Sequence, residues 1–172
     1  DPLWSRGLGD VYKRQQWNKL VTKGRIEADQ ATALTARLHP VTTVAELAAC
    51  DLVLEAIVER LDAKQALFVE LEGVVRADAV LATNTSSLSV TAIGASLKHP
   101  ERLAGFHFFN PVPLMKVVEV IAGLKTDPSI CTALAAYAKA MGHTPVQAQD
   151  TPGFIVNHAC LLYTSDAADD LL

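Results

Sequence analysis

The residues in this chain best suited to chemistry are His107 and Glu119. Glu119 interrupts an apolar run, Val117-Val118 before it and Val120-Ile121 after it, and an unpaired carboxylate buried in such a strand would cost several kcal/mol. It needs a cationic or hydrogen-bonding partner. The chain leaves His107 on one strand, turns through Asn110-Pro111-Val112-Pro113 and returns along the next, a path that can bring imidazole and carboxylate together. A histidine held by a carboxylate on one nitrogen has a fixed tautomer and raised basicity, and its other nitrogen is free to take a proton. Spacing alone serves a satisfied structural pair equally well.

Other polar residues follow apolar runs, and in an open parallel sheet ligands bind beyond the carboxyl ends of the strands. Glu59, with Lys64 further on, follows the first such run. It lies near a helix start, where the dipole stabilises a carboxylate by about 0.3–1 kcal/mol without any ligand. Asn84-Thr85-Ser86-Ser87 follows the second run and has the composition of a turn and helix cap. Asp150-Thr151-Pro152-Gly153, leading to Asn157, follows the last. His39, His99, His143 and His158 sit at element ends without metal-ligand spacing, so no metal is expected. Gly7-Leu8-Gly9 has no strand before it and no third glycine on schedule.

The elements that must position these residues alternate. An amphipathic helix is expected over 16–38, with Leu20, Ile26, Ala31, Leu34 and Leu38 on one face and His39-Pro40 as its stop. A short extended piece is expected over 41–44. The run from Asp51 to Val58 reads as a strand buried on both faces of a parallel sheet. Helices over 61–76 and 90–97 alternate with strands over 80–83 and 103–109. A strand over 116–121 should turn back as a sheet edge, before a helix over 127–141 closed by Gly142 and a last strand over 144–149. Alternation with short connections implies an α/β fold, a partial Rossmann-like, doubly wound and mostly parallel sheet with helices on both faces.

Composition excludes some classes of function. A net charge of -4, spread without a basic block, offers no Lys/Arg footprint for nucleic acid. Cys50, Cys131 and Cys160 have no close spacing, so neither a disulfide framework nor a thiolate zinc site is expected, and a reducing compartment fits best. No apolar run is long enough to cross a bilayer and no secretory leader is evident, which favours the cytoplasm. Residues 1–15 and 160–172 break the pattern of the rest and read as a non-native leader and tail.

Four strings occur in one order: Asp51-Leu-Val-Leu-Glu-Ala-Ile-Val-Glu59, Thr83-Asn-Thr-Ser-Ser-Leu88, Gly105-Phe-His-Phe-Phe-Asn-Pro-Val-Pro113 and Asp150-Thr-Pro-Gly-Phe-Ile-Val-Asn157. Together they resemble the L-3-hydroxyacyl-CoA dehydrogenase family over about residues 16–159. The resemblance implies NAD as cofactor, an acyl-CoA as substrate and His107 as the base that takes the 3-hydroxyl proton. It makes Glu119 the support of that imidazole, with Ser86 and Asn157 on the substrate's oxygens. Glu59, Lys64, Ala56 and Asn84, together with Ser86, become cofactor contacts, and Asn110 lines the same pocket.

The resemblance also sets domain expectations. Residues 16–152 would form an incomplete NAD-binding domain and 153–159 the start of a helical domain through which the full-length protein pairs as a homodimer. The family's glycine-rich turn and its acidic ribose ligand are not found here, so the polypeptide as written is expected to bind NAD poorly and to have no useful turnover. Two other readings stand beside it: a non-catalytic domain binding CoA esters or partners, and a dehydrogenase of another 3-hydroxy acid.

Overall fold

The computed structural model of the chain describes residue 15 and residues 17–159. The expected non-native tail over 160–172 lies outside the described residues, as does nearly all of the expected leader. The chain divides into two compact units, Asp1–Leu47 and Ala48–Leu172.

In the first unit the single helix expected over 16–38 is two helices. Residues 17–22 are helical, and the helix then ends on Gly24, whose φ of +63° favours glycine. Gly24 N–H donates to the Val21 carbonyl at 2.8 Å and Arg25 N–H to the Leu20 carbonyl at 2.9 Å, the paired bonds of a Schellman cap. Helix α1 restarts over Ala28–Ala36, with Gln30 Oε1 accepting from the Glu27 N–H. The apolar spacing continues across the break, which is why periodicity alone reads one helix. The piece expected to be extended over 41–44 is instead bent and leads into a 3-10 turn over Val44–Leu47. There the Glu46 carboxylate accepts the backbone N–H groups of Thr42 and Thr43 at 2.9 and 3.0 Å. Those two bonds curl the segment back on itself.

The second unit is built on five strands, β1 over Leu52–Glu55, β2 over Val80–Thr83, β3 over Leu103–Phe108, β4 over Val117–Ala122 and β5 over Thr144–Gln149, ordered β1-β2-β3-β4-β5. The pairs β1·β2, β2·β3 and β4·β5 are parallel, and β3·β4 is antiparallel. Strand β4 is therefore not the edge expected of it, because β5 pairs on its far side. Helix α2 spans Leu61–Val74, α3 Val90–Gly94 and α4 Pro128–Ala140. Helix α3 is shorter than the expected 90–97, its last turn giving way at Ala95. Helix α4 begins after Asp127, whose side chain accepts from Ser129 N–H, and stops at Gly142, φ +77°.

Period-2 alternation sorts the strands between two layers. Val80, Ala82, Ala104, Phe106, Val118 and Val120 pack on Cys131, Leu134 and Ala138 of α4. The opposite face carries Leu81, Leu103 and Ile121 toward α3, with α2 beside it, Gln65 Nε2 donating to the Ala92 carbonyl at 2.8 Å. At Gly105, a Cβ would lie 2.9 Å from Ile121 and 3.1 Å from Val90, so only glycine lets α3 sit this close. The first strand is shorter and more open than its apolar run suggests. The Glu55 carboxylate accepts the Ile57 N–H and turns the chain out of the sheet, and Leu54 is 42% exposed because β1 pairs only with β2 among the described residues.

Candidate active site

On the face away from α4, the polar residues gather at one end of the sheet. Glu55 and Thr83 close β1 and β2, His107 is near the end of β3, and Glu119 enters β4 opposite it. In an antiparallel pair, residues directly opposite point to the same side. The His107–Glu119 register therefore brings the two side chains together, with Nδ1 2.7 Å from Glu119 Oε2. His107 is 5% exposed and Glu119 fully buried.

The second oxygen of Glu119 is also occupied. Oε1 accepts the N–H groups of Ile155 and Val156 at 2.9 and 3.0 Å, at the start of a helical turn over 156–159. The turn that aims those donors runs through Gly153, φ +75°, and Phe154, φ 51°. Three donors thus meet one carboxylate, the condition under which a buried charge is tolerated. With Nδ1 donating to Glu119, the His107 lone pair lies on Nε2, which has no hydrogen-bond partner among the described residues. The aromatic rings of Phe109 and Phe154 flank the imidazole at centroid distances of 4.6 and 5.7 Å.

A second polar cluster follows β1 and β2. Glu59 Oε1 accepts from Thr85 Oγ1 and from Ser86 N–H, the latter at 3.0 Å. Burial pushes the Glu59 carboxyl up, but the bonds from Thr85 and Ser86 and the Lys64 ammonium outweigh it and hold it below the usual range. Ser86 is exposed, and its carbonyl accepts from Asn157 Nδ2 at 3.3 Å. Asn84 ties strands together: its N–H donates to the Glu55 carbonyl and its Oδ1 accepts the Phe108 N–H, both at 2.8 Å. Ala56 is exposed just past the end of β1.

Lys64 is not on the surface. It is 1% exposed, with Nζ 2.7 Å from Glu55 Oε1 and 3.2 Å from Glu59 Oε2. Asn110 is exposed in the turn after β3, and no side-chain bond among the described residues draws it to the rest. Sequence reasoning passed over Glu55, although it carries the same signal as Glu119, a carboxylate attached to an apolar strand. It named Asp150 only within the stretch after the last strand and missed its role there: the side chain accepts the N–H groups of Val90 and Thr91 at 2.8 Å each and caps α3. Among the described residues no group of His, Cys, Asp and Glu is arranged to hold a metal ion.

The arrangement is a buried, acid-supported imidazole with one open nitrogen, beside a shelf bearing a hydroxyl, an amide and a half-exposed carboxylate. Comparison with known proteins agrees with that picture. Residues 6–151 match the family described as 3-hydroxyacyl-CoA dehydrogenase, NAD binding domain. The chain is 48% identical over 163 residues to the 3-hydroxyadipyl-CoA dehydrogenase of Escherichia coli K12, covering 95% of this chain and 34% of that protein. It is 43% identical over 146 residues to the fatty acid oxidation complex subunit alpha of Pseudomonas paraeruginosa, covering 84% of this chain and 20% of that one.

Among solved structures, the 3-hydroxybutyryl-CoA dehydrogenase of Escherichia coli K12 superposes with a TM-score of 0.91 at 45% identity, over 94% of this chain and 34% of that one. FadB2 of M. tuberculosis superposes with a TM-score of 0.90 at 32% identity, over 95% and 58%. The chain thus spans about a third or less of the length of the curated relatives it matches. A family match over most of the chain, with a TM-score of 0.91 over 94% of it, leads to one conclusion: the chain belongs to the 3-hydroxyacyl-CoA dehydrogenase NAD-binding domain family.

Proposed function

We propose that this chain supplies the catalytic base and the nicotinamide-side contacts of an NAD-dependent dehydrogenase that oxidises the 3-hydroxyl of an L-3-hydroxyacyl-CoA to the 3-oxo form. The observation that carries the reading is the 2.7 Å bond between His107 Nδ1 and Glu119, whose other oxygen is held by two backbone N–H groups. A fixed, buried carboxylate orients the ring and supports the imidazolium that forms when Nε2 accepts the hydroxyl proton. Ser86 and Asn157, already bonded to each other, hold the substrate's oxygens and present C3. Asn110 lines the same pocket.

The residues present fit one end of the dinucleotide. Glu59 keeps 38% of its side chain exposed next to exposed Ala56 and Val58, an acceptor beside an apolar shelf, which suits ribose hydroxyls and a flat ring. Asn84 fixes the strand ends beneath them. For the pyrophosphate the fit fails: helix α2 has Asp62 in its first turn, where a phosphate needs donors, and no glycine-rich strand-to-helix turn is found among the described residues. When bound, the dinucleotide supplies the acceptor for the hydride that leaves C3. The full-length protein is read as a cytoplasmic homodimer paired through a helical domain beginning near residue 153. Nucleic acid and membrane have no part in this reading. The described residues hold no helix long and apolar enough to cross a membrane, and the chain has no basic block.

The test is His107→Gln in the full-length gene product. Turnover of a 3-hydroxyacyl-CoA should fall by about 10²–10⁴-fold, the usual contribution of a positioned base, while acyl-CoA and NADH affinities stay near those of the wild type. Unchanged turnover would remove the base, and with it the enzyme reading in favour of a binding domain. Free 3-hydroxy acids turned over as fast as the CoA ester would redirect the substrate.

A further inference from the structure

Lys64 and Glu55 form an ion pair that neither touches solvent nor takes part in the proton transfer described above. Both side chains are at most 1% exposed. A buried pair of this kind pays desolvation for both ions, and apolar residues of similar volume commonly hold a fold at least as well. Stability is therefore a poor account of it. Its geometry gives a better one.

Glu55 is fixed on every side. Its Oε1 accepts from Lys64 Nζ at 2.7 Å and from the Ile57 N–H, and its Oε2 accepts from Thr83 Oγ1 at 2.7 Å. Thr83 is its register partner on β2, so the carboxylate is anchored to two strands at once. The ammonium it holds reaches Glu59 Oε2 at 3.2 Å, and Glu59 Oε1 in turn accepts the Ser86 N–H at 3.0 Å. The Ser86 carbonyl accepts Asn157 Nδ2 at 3.3 Å. One connected line of bonds thus runs from the sheet to both residues read as substrate contacts.

We propose that Glu55 is a positioning residue, which with Lys64 forms a buried charged strut that fixes Glu59 and, through it, the backbone of the Ser86 turn. Lys64 then serves the cofactor side without touching a ligand. One positive charge is shared between two carboxylates, and because Glu55 cannot move, the ammonium is kept from collapsing onto Glu59. Removing the Glu55 charge gives Lys64 wholly to Glu59 and draws that carboxylate away from Ser86. The inference rests on the reading that Glu59 and Ser86 face cofactor and substrate.

The experiment compares Glu55→Gln and the double variant Glu55→Met/Lys64→Met with wild type in the full-length gene product. Thermal unfolding, NADH titration by fluorescence and amide hydrogen exchange at residues 84–88 are measured on each. The double variant should unfold at or above the wild-type temperature, yet bind NADH about tenfold more weakly and exchange the Ser86 amide about tenfold faster, the scale of one misplaced charge-assisted hydrogen bond. Glu55→Gln keeps the shape and should show the same two losses, which decides the matter if the double variant does not fold. Ser86 exchange and NADH affinity both within about twofold of wild type in the folded variants would overturn the strut, since that is less than one neutral hydrogen bond contributes. If wild type binds no NADH, or His107→Gln keeps full turnover, the functional reading fails separately; exchange at Ser86 still judges the strut.

Discussion

Two carboxylates lie buried on one face of the same sheet, and their partners differ in kind. Glu55 faces a lysine, whose ammonium has three donors and no acceptor and can only hold what it touches. Glu119 faces an imidazole, whose two nitrogens divide the labour, one held by the carboxylate and the other open. The remaining donors differ too. Glu55 is completed by a hydroxyl from the neighbouring strand, Glu119 by two backbone N–H groups at the start of a helical turn. On the proposed reading the β1–β2 side of the site fixes position and the β3–β4 side moves a proton, although the same signal marks both in the sequence.

The largest expected effect breaks the β3–β4 side. In Glu119→Ala, the two N–H groups of Ile155 and Val156 and the Nδ1 of His107 lose their acceptor together where the carboxylate is fully buried. Breaking a buried pair in this way costs about 3–5 kcal/mol, a large part of the roughly 5–15 kcal/mol that holds an ordinary domain. Urea unfolding of wild type and variant measures it. A loss below about 1 kcal/mol would mean that water replaces the carboxylate, and Glu119 would then not be what holds the β3–β4 side together.

A smaller effect is expected between the two sides. Gly105 stands in register with Thr83 on one strand and Ile121 on the other, and a Cβ there would lie 2.9 Å from Ile121 Cβ, which is close to the backbone and cannot swing away. Gly105→Ala should destabilise by about 1–3 kcal/mol through overpacking, read from the same urea midpoints. Because it splays β3 from α3 without touching a charge, turnover of the full-length protein should fall less than in Glu119→Ala. An equal fall in turnover would show that the sheet, more than the carboxylate, orients His107.

The sequence makes the neighbourhood of His107 and Glu119 legible because a charge inside an apolar strand demands a partner, and the intervening turn leaves few candidates. The alternation of strands and helices is legible for the same kind of reason, since apolar runs of strand length separated by amphipathic stretches admit few packings. What escapes is whatever depends on distant neighbours. The run at 51–58 looks buried on both faces because composition cannot count how many strands will flank it, and β4 looks like an edge because its pairing with β5 is made across a whole helix. Lys64 is expected, by the resemblance, to touch the cofactor. Only the fold shows that the first turn of α2 tucks its ammonium beneath Glu59. The break at Gly24 is hidden by apolar positions that keep their spacing through the turn.

The smallest effect concerns a third carboxylate, which sharpens the comparison because no cation among the described residues pairs with it. Asp150 receives Ser89 Oγ and the N–H groups of Val90 and Thr91, each at 2.8 Å, so it closes the first turn of α3 with neutral donors alone. Burial pushes its carboxyl up, but the bonds from Thr91, Ser89 and Val90 outweigh burial and hold it below the usual aspartate range. A carboxyl depressed in the folded state adds stability above its unfolded pKa, about 3.9, and loses it as pH falls through the lower folded value. Asp150→Asn should therefore cost about 1 kcal/mol at neutral pH, the usual worth of a helix cap. The gap from wild type should narrow in urea titrations carried below about pH 4. A gap that stays constant with pH would show that shape, and not charge, holds α3 over the sheet, and that charge on this face matters only where a cation or an imidazole answers it.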